Sequence, residues 1–244
     1  MPALQLAIFV LDASGSMGSE IVGAPKGTTK AWQIEDMLCR PLPQSWESAD
    51  DRRELLLNCG LIARLQHSQR KDNIDMGVIR YDNSAEVYRG NIFPIPDWQL
   101  SQPAPALTAP NHYELGGQTF DLLDGKGGGT NIVAGLEAAE VMKDTWLNAN
   151  QSGNNECFVT ILLMSDMLHN EGSSHEPVKV ATRIKRNVMQ RNRRQVLLAA
   201  AAFGDDADLS LMTQIASAPE YAVKTTDPIK LRDFFLNSLS AQQG

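Results

Sequence analysis

Residues 8–18 read IFVLDASGSMG, an apolar run that ends in one carboxylate and two hydroxyls at alternate positions. Asp12, Ser14 and Ser16 can all face the same way in a loop that leaves a strand, because every second side chain points to one side. Gly15 allows the backbone between the two serines to turn tightly. The pattern therefore predicts that three oxygen donors meet at one point.

Two later segments place similar donors where the chain leaves a regular element. A glycine run at 127–129 precedes Thr130 and opens a helical pattern, and the apolar run 157–164 is followed by Ser165 and Asp166. In open parallel sheets, ligands bind at the carboxyl ends of the strands, so we expect these segments to converge. Two carboxylates and three hydroxyls suit a hard divalent cation such as Mg²⁺. The expected metal ligands are Asp12, Ser14, Ser16, Thr130 and Asp166.

The elements that must position these residues alternate along the chain. Apolar or alternating patterns predict strands at 4–11, 74–81, 85–88, 157–164, 195–203 and 221–223. Helical spacing predicts helices at 51–67, 131–147, 178–192, 207–217 and 229–239. Strands that alternate with helices indicate an α/β fold with a mostly parallel, doubly wound sheet and helices on both faces.

The length of 244 residues fits one large domain, and no linker divides the chain, so we expect a single domain over 1–244. Two proline-containing ranges, about 19–50 and 90–129, do not follow the regular pattern. Long irregular segments inside a compact domain are usually functional, so both are interpreted as insertions near the metal face.

The composition excludes several classes of protein. A formal net charge of −7 argues against nucleic-acid binding, which relies on basic patches that neutralise phosphates. The three cysteines, Cys39, Cys59 and Cys157, are scattered and are expected to be buried thiols. The chain shows no basic signal-peptide region and no apolar run near the roughly 20 residues of a membrane span. We expect a cytoplasmic protein without a membrane span.

The segments IFVLDASGSMG, GGGTNI and LLMSD together resemble the von Willebrand factor type A (VWA) domain with its metal-ion-dependent adhesion site. The D-x-S-x-S motif of that family falls on Asp12, Ser14 and Ser16, its distant Thr on Thr130 and its distant Asp on Asp166. The stretches AAAFGDDADLSLMTQIAS and LRDFFLNSLS also resemble the C-terminal part of bacterial members. The resemblance implies a mostly parallel six-stranded sheet with one antiparallel edge strand.

In that family the metal ion keeps an open coordination position, which an Asp or Glu of a partner protein fills in many members. The resemblance therefore implies a binding module rather than an enzyme, with Mg²⁺ or Mn²⁺ at the site and a protein partner that supplies a carboxylate. The chain is similar to small intracellular bacterial VWA proteins of the tellurite-resistance and stress-response type.

Other functions stay open at the level of the sequence. One is a regulatory or substrate-presenting subunit of an ATPase, kinase or chelatase system. A weaker one is a Mg²⁺-dependent phosphatase, but Ser14 stands where aspartate-nucleophile phosphatases carry their second Asp. Two further features are interpreted as solvated surface: the histidines His169 and His175, and a basic run on one predicted helix. That run consists of Lys185, Arg186, Arg191, Arg193 and Arg194.

Overall fold

In the computed structural model the described residues are 3–21, 27–42, 56–101, 112–150, 156–166, 169–170, 176–186, 194–205 and 207–241. The strands of the main sheet are β1 Leu4–Asp12, β2 Ile74–Tyr81, β3 Ala85–Val87, β4 Phe93–Pro94, β8 Cys157–Ser165, β9 Arg194–Phe203 and β10 Ala222–Thr225. The strand order is β10-β9-β8-β1-β2-β3, and β4 pairs with β2 beside this path. A smaller sheet consists of β5 Leu100–Ser101, β6 Tyr113–Leu115 and β7 Gln118–Phe120.

Helices lie on both faces of the main sheet. They are α1 Lys30–Cys39, α2 Leu61–Gln66, α3 Ile132–Ala149, α4 Glu176–Arg186, α5 Leu209–Ile215 and α6 Pro228–Ala241. The pairs that β1 makes with β2 and β8 are parallel, and only the short β3 and β4 run antiparallel to β2. The predicted architecture, an α/β fold with a mostly parallel sheet and an antiparallel edge, is confirmed.

Strand β1 lies inside the main sheet, between β8 and β2, and it carries apolar side chains on both faces. Phe9 and Leu11 belong to one core, shared with α1 and α6, and Phe9 meets Phe235 edge to face at 6.3 Å between ring centroids. Ile8 and Val10 belong to the opposite core, shared with α3. A strand buried on both faces is typical of a parallel sheet covered by helices.

The register of the central strands sets the position of the candidate ligands. Leu11 pairs with Met164 on β8, and Asp12 pairs with Tyr81 on β2. Parallel strands in this register end at the same edge of the sheet, so Asp12 and Asp166 leave their strands side by side. The Tyr81 hydroxyl donates to the Met164 carbonyl oxygen at 3.1 Å and ties the ends of β2 and β8 together across β1.

One predicted helix is interrupted. The pattern at 51–67 predicts a single helix, but Gly60 is extended and α2 begins only at Leu61. The Gly60 N–H donates to the Arg40 carbonyl oxygen at 2.7 Å, and a Cβ on Gly60 would lie 2.6 Å from the Arg40 nitrogen. The close approach of these two backbone segments breaks the helix, and residues 51–55 lie outside the described part of the chain.

The two ranges interpreted as insertions contain regular structure. Helix α1 lies within 19–50, and Ile34 and Leu38 on its inner face are fully buried in the core. In the range 90–129, Phe93 pairs with Met76 in the amino-terminal half of β2, far along the strand from Asp12. Among the described residues of each range, some therefore lie away from the edge of the sheet that carries Asp12.

Two expectations from composition can be compared with the structure. All three cysteines are buried thiols, as predicted. Within the residues that the structure describes, no helix combines the length and apolar character that crossing a bilayer requires.

Candidate metal centre

The carboxylate of Asp12 is fully buried where β1 ends. Its Oδ1 accepts a hydrogen bond from the Ser14 N–H at 2.8 Å, and its Oδ2 accepts one from the Ser165 hydroxyl at 2.6 Å. Both donors are neutral, and together they fix the orientation of the carboxylate.

The hydroxyls of Ser14 and Ser16 lie 3.1 Å apart, as the alternating pattern predicts. The Ser16 hydroxyl then donates to Asp166 Oδ1 at 2.8 Å. Asp166 is fully buried, Ser14 is buried and Ser16 is half-buried. A continuous hydrogen-bonded series, from Asp12 through Ser14 and Ser16 to Asp166, therefore joins the end of β1 to the end of β8 and reaches the surface at Ser16.

The glycine run brings Thr130 to the same edge through backbone contacts. The Gly15 N–H donates to the Gly128 carbonyl oxygen at 3.1 Å, and a Cβ on Gly15 would lie only 2.9 Å from the Gly127 oxygen. Thr130 is buried, and its N–H donates to Asn170 Oδ1 at 2.7 Å. The structure thus collects all five predicted residues at one edge, four of them in a hydrogen-bonded series.

The electrostatics of this edge favour a bound cation. Burial raises the pKa of Asp12 from 3.8 to about 6, and the nearby charge of Asp166 adds a smaller increase. Hydrogen bonds from Ser165 and Ser14 lower the pKa only in part. A buried carboxylate held by neutral donors is stabilised when a cation arrives. All the donor atoms of the predicted set are oxygens, which suit Mg²⁺ or Mn²⁺.

One charged residue at this edge was not predicted. The Lys30 ammonium donates to Asp166 Oδ2 at 2.7 Å, so it contacts the oxygen that Ser16 does not use. Lys30 is the first residue of α1, and 136 positions separate it from Asp166. No motif in the sequence marks this lysine.

The turn between β2 and β3 supports the glycine run. Asp82 Oδ2 accepts from the Gly128 N–H at 3.3 Å, and Asn83 Oδ1 accepts from the Gly129 N–H at 2.6 Å. Burial works to raise the pKa of Asp82, but hydrogen bonds from the Ser84 and Gly128 backbone and the Lys126 charge lower it overall. The sequence indicates only a turn here, whereas the structure gives the turn a positioning role.

The surface assignment of His169 is wrong. His169 is buried, and its Nδ1 faces the Ile132 N–H at 3.3 Å, where α3 begins. The side chain therefore caps an otherwise unsatisfied donor in the first turn of the helix. The other histidine of that segment, His175, lies outside the described residues.

The basic run predicted on one helix is described only in part: Lys185 and Arg186 end α4, whereas Arg194 begins β9. Lys185 donates to the carbonyl oxygens of Ile215 and Ala216, at 3.0 and 2.8 Å, at the end of α5. Lys185 thus has a packing role. Arg191 and Arg193 lie outside the described residues.

A second group of ionisable residues lies outside the predicted ligand set. Glu35 Oε2 is 2.8 Å from His112 Nδ1, and His112 Nε2 is 3.7 Å from Asp121 Oδ2. The other oxygen of Glu35 accepts from the Leu122 N–H at 2.8 Å. The group joins α1 to the segments that flank the small sheet, and sequence patterns did not indicate it.

Comparison with known proteins shows the class of fold. Proximal thread matrix protein 1 from the mussel byssus matches at 15% identity and a TM-score of 0.52 over 98% of this chain. The same protein with a zinc-occupied MIDAS motif, the metal-ion-dependent adhesion site, matches at 16% identity and a TM-score of 0.50. The SpaC pilus adhesin of Lactobacillus rhamnosus GG, in an open conformation, matches at 12% identity and a TM-score of 0.54 over 99% of this chain. The fold is therefore VWA-like.

These matches concern the fold and not a particular protein. The chain spans 48% of the mussel protein and 30% of the pilus adhesin. No protein-family model matches the sequence, and no curated protein matches it. What the chain binds is therefore argued from its own residues.

Proposed function

We propose that this chain is a metal-dependent protein-binding module without enzymatic turnover. Asp12, Ser14, Ser16, Thr130 and Asp166 hold a divalent cation, Mg²⁺ or Mn²⁺, directly or through water. An Asp or Glu of a partner protein completes the coordination. The buried thiols outside disulfides support the cytoplasm as the compartment.

The hydrogen-bonded series from Asp12 to Asp166 carries this proposal. It places two fully buried carboxylates behind hydroxyls and reaches the surface at half-buried Ser16, so one side of the site faces the surface. A cation held from the buried side keeps a position open toward solvent. The zinc-occupied MIDAS of the mussel protein and the adhesive role named for SpaC support the same interpretation.

Thermal melting of the metal-stripped protein tests the site first. An ion that binds only the folded state raises the melting midpoint by mass action. We expect millimolar Mg²⁺ or Mn²⁺ to raise the midpoint of the wild type and to leave Asp12→Ala unchanged. Asp233→Asn is a matched control, because it removes an exposed carboxylate of α6 that is outside the proposed ligand set, and it keeps the metal response.

Affinity capture from a lysate then tests the binding function. We expect partners that are retained with Mg²⁺ and released by a chelator, and that Asp12→Ala does not capture. Capture by wild type and Asp12→Ala alike would contradict a metal-dependent interface. Phosphate release from a phosphomonoester by the wild type, absent in Asp12→Ala, would replace the binding module with an enzyme.

A further inference from the structure

We infer that Lys30 is a tethered cation that competes with the divalent metal for the charge of Asp166. In the metal-free protein its ammonium neutralises this carboxylate, and tight binding of a metal ion requires it to move away. Lys30 thereby determines which concentration of divalent ion the site responds to. The inference rests on the proposed function, because it concerns the same site.

Helix α1 by itself does not account for a lysine at this position. Lys30 is the first residue of the helix, directly after Thr29, whose hydroxyl accepts from the Trp32 N–H as the N-cap. Positive charge is unfavourable at a helix N-terminus, because the helix dipole is positive there. The favourable partner of Lys30 is instead Asp166, a fully buried carboxylate on another segment. The Lys30 N–H also donates to the Ser19 carbonyl oxygen at 3.3 Å, which fixes the start of the helix beside the site.

The two oxygens of Asp166 have different donors. Oδ1 accepts from the Ser16 hydroxyl and Oδ2 from the Lys30 ammonium. Lys30 therefore neutralises Asp166, whereas the hydrogen bonds to Asp12 come from the neutral Ser14 N–H and Ser165 hydroxyl. A divalent ion beside Ser14 and Ser16 would lie close to the Lys30 ammonium, and the two cations would repel each other. The ammonium also partly neutralises Asp166, which weakens the attraction of this carboxylate for the metal. The competition therefore acts through charge and does not require the two cations to occupy one position.

The lysine can leave the site without a backbone rearrangement. Its side chain is 23% exposed, whereas Asp166 is fully buried. The four-carbon stem of a lysine is flexible, and its ammonium is strongly hydrated once it reaches water. Gly204 lies alongside, and a Cβ built there would stand 3.6 Å from the Lys30 Nζ. The exit of the ammonium toward solvent therefore costs little apart from the lost ion pair.

Calorimetric titration with Mg²⁺ and with Mn²⁺, at fixed pH and ionic strength, tests the inference on three variants of the full chain. Lys30→Met removes the charge and keeps the length of the stem. Lys30→Arg keeps the charge. Lys230→Met is a matched control for net charge, since Lys230 is an exposed lysine of α6 outside the proposed site.

We expect Lys30→Met to bind the metal about tenfold more tightly than the wild type, the effect of removing one charge-assisted hydrogen bond that binding would otherwise break. Lys30→Arg and Lys230→Met keep affinities near the wild-type value. The metal-free Lys30→Met protein melts below the wild type, and Mg²⁺ restores its midpoint. Binding by Lys30→Met in the absence of any wild-type binding would also support the inference.

Two outcomes would overturn it, and they differ in what they say of the proposed function. If wild type and Lys30→Met bind the metal with equal affinity, or the variant binds more weakly, Lys30 does not compete and the metal site stands. If none of the proteins binds Mg²⁺ or Mn²⁺, the metal site and the role of Lys30 are both wrong.

Discussion

Asp12 is ionised at neutral pH, although its burial disfavours the charged form of the carboxylate. Its folded pKa of about 6 lies above the ordinary value of 3.8, so the folded state holds the proton more tightly than the unfolded state does. The corresponding contribution to stability is present below about pH 4 and is lost as the pH rises through about 6. The ionised Asp12 thus destabilises the fold, and a cation bound beside it would remove that cost.

Replacing Asp12 by Asn should therefore separate folding from metal binding. We expect Asp12→Asn to raise the melting midpoint of the metal-free protein near neutral pH, by about 2–4 °C for each kcal/mol gained. The amide keeps an acceptor for the Ser14 N–H and faces the Ser165 hydroxyl with a donor. Added Mg²⁺ should leave the midpoint of this variant unchanged. Differential scanning calorimetry measures both effects.

Asp82→Asn is a control for which we expect the opposite change in the melting midpoint. Hydrogen bonds and Lys126 lower the pKa of Asp82, so its ionised form stabilises the fold and neutralising it should lower the midpoint. A lower midpoint for Asp12→Asn as well would show that the ionised Asp12 is stabilising and would contradict the account of its burial.

The ion pair between Glu35 and His112 holds the segment before the small sheet against helix α1. Glu35 is fully buried, and burial raises its pKa, while the hydrogen bond to Glu35 raises the pKa of His112. Tyr113, the first residue of β6, also donates to Asp36 on α1. Two neighbouring residues of one segment therefore contact two neighbouring carboxylates of the helix, which makes the contact specific.

This contact predicts a pH dependence of stability. Because the folded pKa of His112 is raised, its contribution is fully present below the ordinary value of 6.5 and is lost as the pH rises through the folded pKa. We expect His112→Gln to lower the free energy of unfolding by roughly 1 kcal/mol near pH 6 and by less as the pH increases. Urea unfolding at a series of pH values measures this difference.

The exposed His67 provides a matched control for that experiment. His67→Gln removes an imidazole outside the Glu35 contact, so the loss of stability in His112→Gln beyond that in His67→Gln is the part that belongs to this contact. A difference between wild type and His112→Gln that grows with pH above 6.5 would mean that the neutral imidazole is the stabilising form.

The main sheet and the small sheet differ in the number of backbone hydrogen bonds and buried contacts that stabilise their strands. Strand β1 pairs along its length with β2 and β8 and is buried on both faces. Strands β5, β6 and β7 are two or three residues long, although Leu115 and Phe120 reach the core. Elements with few backbone hydrogen bonds open locally at lower free energy than a fully paired central strand.

Hydrogen exchange followed by mass spectrometry should resolve this difference. We expect peptides from β1 and β8 to exchange only through global unfolding, and peptides from the small sheet to exchange at least about tenfold faster. Equal rates in the two sheets would show that the small sheet unfolds only together with the main sheet.

The sequence by itself determined the sheet and the edge at which the candidate ligands meet. Hydrophobic period identifies buried strands, and ligands bind at the carboxyl ends of parallel strands, so the residues that follow Leu11 and Met164 were expected to converge at one edge. The structure then made the two strands direct neighbours. The motif Asp12-x-Ser14-x-Ser16 needs only local backbone geometry to align its hydroxyls. Both inferences depend on patterns within short segments and on the fact that parallel strands run in the same direction.

Only the tertiary structure decided the contacts between segments that no periodic pattern relates. Lys30 lies 136 residues from Asp166, and His112 lies 77 residues from Glu35. The break at Gly60 depends on the close approach of Arg40. Each of these contacts is set by how loops pack side by side after the sheet has formed. A pattern that repeats every two or 3.6 residues carries no information about that packing.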